Sequence, residues 1–164
     1  MKANALASWA LGFVLAGMPM MAAWADFAAD SIQVSDPFAR ATPPGMENSA
    51  AYMTLRNPSD ETFALVAAES TIAQTVELHT HLHEDGVMKM RKVEEIIVPA
   101  GDEIGLEPGG YHIMLLGLEH ALAAGDDVPL TLIFNDGSRL DVTAEARHPS
   151  GHRRHGHGGG HHSH

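Results

Sequence analysis

The chain is 164 residues long, enough for one ordinary domain and little more. It has no cysteine but nine methionines and twelve histidines, which excludes thiol nucleophiles, thiol–disulfide exchange and the cysteine-ligated type-1 copper centre. A formal charge of −11 argues against nucleic acid or an anionic membrane surface as partner and suits solubility and the capture of cations.

Residues 1–25 read as a cleaved secretory signal. Lys2 supplies the positive start, an apolar stretch runs from Leu6 to Met21 with a break at Pro19, and Ala23-Trp24-Ala25 is a small-x-small cleavage site before Asp26. The alternative, a transmembrane anchor, asks for a longer uninterrupted run. Cleavage removes Lys2 and no acid, so the formal charge moves from −11 to −12. It also removes Met1, Met18, Met20 and Met21 and leaves five methionines. The expectation is an exported, periplasmic protein with no membrane anchor once the signal is gone.

Residues 26–147 carry short apolar runs punctuated by turn residues. The expected strands are Ser31–Val34 and Phe38–Ala41 on either side of Pro37, then Ala50–Arg56 and Phe63–Ser70. Thr75–His83 and Val87–Val93 form a hairpin about Glu84-Asp85-Gly86, with Glu94–Val98 extending it or starting afresh. Asp102–Leu106, Tyr111–Leu116 and a Val128–Phe134/Ser138–Ala144 hairpin over Asn135-Asp136-Gly137 complete the set. The only helical suggestion is Leu118–Ala124. Turns about every ten residues are the mark of a sandwich or barrel. The expected class is therefore all-β, a Greek-key β-sandwich or barrel with at most one short helix. Residues 148–164 are Gly- and His-rich with nothing apolar to bury, so disorder is expected there.

Four residues stand out by type and spacing: His79, Met90, His112 and Met114. If the hairpin pairs symmetrically about Glu84-Asp85, His79 faces Met90 across the ladder, within reach of one ion. His112 and Met114 are two apart, so they share a strand face, while Tyr111, Ile113 and Leu115 make an apolar row on the other. Thioether sulfur is soft and imidazole intermediate, a set that suits Cu(I) and suits zinc or magnesium poorly. Thioethers also cannot form disulfides, so such a site works in an oxidising compartment. Taken singly, each Met reads as core filler and each His as a surface residue; the pairing of two His–Met sets points to ligation.

The runs Val76-Glu77-Leu78-His79, Gly86-Val87-Met88-Lys89-Met90-Arg91 and Pro108-Gly109-Gly110-Tyr111-His112-Ile113-Met114-Leu115 resemble the periplasmic copper chaperone family PCu(A)C. The family motif is H(M)-x10-M-x21-H-x-M. Ten residues separate His79 from Met90, twenty-one separate Met90 from His112 and one separates His112 from Met114. The likeness runs from about Ile32 to Glu145. It implies a cupredoxin-like β-sandwich, binding of one Cu(I), and delivery towards the Cu(A) centre of cytochrome c oxidase subunit II alongside Sco-type proteins. The chain departs from the family at His81, where members often carry Met close after the first His. In the symmetric register His81 faces Met88. Either the two are an auxiliary metal pair, or His81 competes as a ligand, or both line the rim. His83 and His120 have no evident partner and read as solvated.

The tail holds His148, His152, His155, His157, His161, His162 and His164, seven imidazoles in seventeen residues. Irregular spacing and interleaved Gly and Arg argue against a purification tag. The expectation is an arm that collects Cu(II). The functional expectation is a monomeric metallochaperone without turnover. The alternatives are a periplasmic copper storage or resistance protein and, with nothing beyond the metal to favour it, a copper redox enzyme.

Overall fold

The computed structural model describes residues 27–148. The expected signal segment and the tail beyond His148 lie outside the described residues; His148 itself is exposed. A four-residue helix, α1 (Ala28–Ser31), is followed by ten strands. These are β1 (Gln33–Arg40), β2 (Asn48–Arg56), β3 (Phe63–Glu69), β4 (Ala73–Glu84), β5 (Val87–Lys92), β6 (Ile96–Val98), β7 (Glu103–Leu106), β8 (His112–Leu118), β9 (Asp127–Phe134) and β10 (Arg139–Arg147). Among the described residues no helix is long and apolar enough to cross a membrane.

Burial follows the period-two pattern that makes a strand with one face on a core. In β9, Val128, Leu130, Leu132 and Phe134 are buried and the residues between them are at least partly exposed. The hydrogen-bonded order is β5-β4-β8-β2-β1-β10-β9-β3-β6, with β7 beside β8 on the same edge of β2. Every pairing is antiparallel except β1 with β10. The sheet folds over on itself into an open β-sandwich, and the all-β expectation holds. Leu55, Leu65, Ile113, Leu115, Leu132 and Phe134 fill the space between its halves.

Three local expectations are corrected. Pro37 does not split two strands: β1 runs through it, and the register against β2 shifts between Ser35 and Phe38, with Asp36 at φ 47°. Such a bulge absorbs a residue that has no N–H to give the ladder. Leu118–Ala124 is not helical beyond the end of β8. Leu122 is instead buried, and Thr42 takes both of its backbone groups: the Thr42 hydroxyl accepts from Leu122 N–H (2.9 Å) and Thr42 N–H donates to Leu122 C=O (2.8 Å). The one short helix stands at Ala28–Ser31, where Asp136 Oδ2 and Ser138 Oγ accept its first two N–H groups. Third, the β4–β5 hairpin turns over Asp85-Gly86, which changes its register.

Leu115 is fully buried beneath the face that carries His112 and Met114. Leu115→Ala should lower the unfolding free energy by about 2–5 kcal/mol, read from the denaturant midpoint of the metal-free protein.

Candidate metal centre

The hairpin closes with Asp85 at φ 53° and Gly86 at φ 76°, two left-handed residues in succession. That is the two-residue turn whose twist matches paired strands, and Asp-Gly is a preferred sequence for it. Glu84 therefore pairs with Val87, His83 with Met88, His81 with Met90 and His79 with Lys92. The expected oppositions of His79 with Met90 and of His81 with Met88 are therefore not the ones formed. The displacement is by two residues, so the same side chains stay on the same face.

On its other edge β4 pairs with β8, His79 opposite His112 and Glu77 opposite Met114. Directly opposed residues share a face, and so do residues two apart. Glu77, His79, His81, Met88, Met90, His112 and Met114 thus stand on one face where β5, β4 and β8 meet. The His112 ring lies 5.0 Å from that of His81, stacked at 30°, and 5.8 Å from that of His79. Tyr52 walls the inner side, 6.2 Å from His112 by ring centroids, and stacks on Phe38 at 5.1 Å. Met88 Cε reaches across to Gly109, in the loop that leads into β8.

Exposure is graded. His112 is 1% exposed, the His79 side chain is 14% exposed, and Met114 is part-buried. Met90 and Met88, on the outer strand, are 45% and 47% exposed. Among the described residues no three histidine or carboxylate groups stand as a coordination set.

The hydrogen bonds decide which ring nitrogens are free. A carbonyl oxygen only accepts, so His112 Nδ1 carries the proton in its 3.1 Å contact with Gly110 O. In the neutral ring this leaves a lone pair on Nε2, which is buried without a partner. Glu77 Oε2 likewise takes the Nε2–H of His79 at 2.8 Å, and His79 Nδ1 is the buried, unpartnered atom. Glu77 also accepts from Lys92 at 2.8 Å. Its carboxyl is held below the usual carboxylate range, first by Lys92 and then by His79. A carboxylate or backbone carbonyl behind an imidazole is the common way to orient a metal-binding histidine.

A family model described as "Putative lipoprotein LpqE-like" matches residues 32–146. The chain belongs to the LpqE-like family. A relative from Leifsonia xyli subsp. xyli, named "Putative lipoprotein Lxx21020", is 36% identical over 124 residues, covering 75% of this chain and 74% of that protein. The solution structure of the Cu(I) form of DR1885 from Deinococcus radiodurans is 36% identical, with a TM-score of 0.57, covering 73% of this chain and 82% of that one. The apo PCuAC domain of PmoF1 superposes with a TM-score of 0.62 over 73% of this chain and 95% of its own. At 24% identity it speaks for the fold alone, which is the cupredoxin-like sandwich expected from the sequence.

Two features of the site in this LpqE-like chain went unread in the sequence. Glu77 was signalled by its place two residues before His79, on the same strand face. Tyr52 had no such signal, because β2 is distant in sequence from the other strands of the site. Burial lowers the His112 pKa below the ordinary 6.5; the Gly110 hydrogen bond opposes this, and charge on His81, His79 and Arg40 adds to it. Unfolded chains therefore take up a proton near 6.5 that the folded protein refuses. This contribution to stability is complete above 6.5 and is lost as pH falls below it. The metal-free protein should unfold at lower denaturant at about pH 5 than at about pH 8, and His112→Phe should flatten part of that dependence.

Proposed function

We propose that the chain is an exported copper carrier that holds one Cu(I) through His79 Nδ1, His112 Nε2, Met90 and Met114, and passes it on without turnover. One observation carries the reading. Two imidazole lone pairs are buried, unpartnered and fixed from behind, on opposed residues of β4 and β8, with thioethers on the same face. Buried polar atoms in a folded protein ordinarily have partners, and the exceptions call for an explanation. Two neutral nitrogens beside two soft sulfurs suit Cu(I). The Cu(I) form of the Deinococcus relative supports the choice of ion, and the lipoprotein names of the family and its Leifsonia member support export. The 164 residues hold no cysteine, so none of them can carry a thioether-linked lipid.

The exposure gradient suggests how release proceeds. Among the described residues β5 has one neighbouring strand, β4, and Met90 is half-exposed on it. Met90 is the ligand that an incoming donor replaces first, and His112, enclosed by Tyr52 and His81, is the last to let go. The proposed recipient is the Cu(A) domain of cytochrome c oxidase subunit II, reached directly or through a Sco-type protein. The histidine tail adds a place for Cu(II) outside the body.

X-ray absorption on the full chain with one equivalent of Cu(I) should count two sulfur and two nitrogen neighbours; nitrogen alone would end this assignment. Glu77→Ala releases the His79 ring from its fixed tautomer. It should weaken Cu(I) by about 10–100-fold in a chelator competition, with the circular dichroism of the sandwich unchanged.

A further inference from the structure

His81 is outside the proposed Cu(I) set, yet in the observed register it, and not His79, is the residue opposite Met90. Its ring stacks on that of His112 at 5.0 Å. Its Nδ1 is buried with no partner, the same condition as His79 Nδ1 and His112 Nε2. No carboxylate is free to serve these nitrogens from Glu77, which is already bound to His79 and Lys92. Three buried, unpartnered imidazole nitrogens thus stand on the β5–β4–β8 face, not yet gathered into a coordination set as the side chains stand.

Two of the three ring spacings, those to His112, suit a shared ion. With metal–nitrogen bonds of about 2.0–2.1 Å and the ring centre about 1.1 Å further out, two imidazoles on one ion have centroids about 5–6 Å apart, depending on the bond angle. The His81–His112 and His79–His112 separations are 5.0 and 5.8 Å. What remains is to swing the nitrogens inward. His81 is the part-buried member whose ring no hydrogen bond holds among the described residues, while His79 is held by Glu77 and His112 by Gly110. A set of three borderline nitrogens differs in kind from two nitrogens with two soft sulfurs: it favours Cu(II), which thioethers hold poorly.

We propose that His79, His81 and His112 form a second coordination mode of the same cavity, a three-imidazole set for Cu(II). Met90 and Met114 complete the site only when the ion is Cu(I). This rests on the reading of the cavity as a copper site and adds that uptake does not require the ion to be reduced beforehand. No electron transfer is involved; the two modes are alternative occupancies.

The test uses the full chain with the seven tail histidines from His148 to His164 changed to alanine, so that Cu(II) is counted on the body alone. One equivalent of Cu(II) should give a pulsed electron paramagnetic resonance signal with three equatorial imidazoles. Adding His81→Ala should reduce the count to two. It should weaken Cu(II) by at least the 10–100-fold that losing an outer partner costs, and leave Cu(I) affinity within about threefold. His81→Gln, which keeps bulk and polarity, guards against a folding defect and should behave alike. An unchanged Cu(II) count in the His81 variants overturns the proposal, as does equal loss of both ions with the fold intact. A parent that binds Cu(I) but no Cu(II) overturns it too and leaves the Cu(I) reading standing. A parent that binds neither ion removes the copper reading itself.

Discussion

The backbone ladder between β4 and β8 is the constraint from which the rest follows. It sets His79 opposite His112 and, two pairs along, Glu77 opposite Met114. The same ladder sets Leu78 opposite Ile113 and Val76 opposite Leu115 on the reverse face. Because strand side chains alternate, a slip of one residue would exchange these two rows and put imidazole and carboxylate into the core. Packing of Leu78, Ile113 and Leu115 therefore holds the polar row in place; stability and site geometry share one register.

The polar row is assembled with its acceptors and donors deliberately unbalanced. Glu77 and the Gly110 carbonyl each take one ring proton, and nothing takes the lone pairs on the far side of the rings. Lys92 keeps Glu77 ionised and in position. Burial keeps His112 neutral. Desolvation, an ion pair and one backbone carbonyl together do what a single strong ligand does elsewhere: they keep nitrogen available in a region that excludes most water. The thioethers have no proton to lose, and they can stand at the exposed edge without changing that balance.

Much of this was readable beforehand because strand periodicity is a short-range property. His112 and Met114 declare a shared face by being two apart, and the apolar row at Ile113 and Leu115 declares the opposite one. The hairpin was legible as a hairpin but not in register. Centring it on Glu84-Asp85 overlooked that Asp-Gly supplies both left-handed residues of a two-residue turn, and the true opposition of His81 with Met90 follows from that turn. Pro37 read as a break because a ladder has no use for a residue without N–H; the bulge at Asp36 that accommodates it depends on β2 and β10 on either side. Leu118–Ala124 looked helical on local preference, and the bonds that override it come from Thr42, 80 residues away from Leu122. Tyr52 belongs to the same class: its nearness to His112 is a product of sheet order, which no window of sequence contains.

β5 is an outermost strand, and every one of its residues is exposed. An open strand edge with a methionine-rich face invites a second chain to add itself there and build onward into aggregates. Lys89 and Arg91 alternate with Met88 and Met90 along this strand and Lys92 follows Arg91, and Glu84 and Glu77 tie those cations down. Another copy approaching in extension would have to set like charges side by side. The strand can thus leave its sulfurs accessible to a partner while denying its backbone to a neighbour of its own kind.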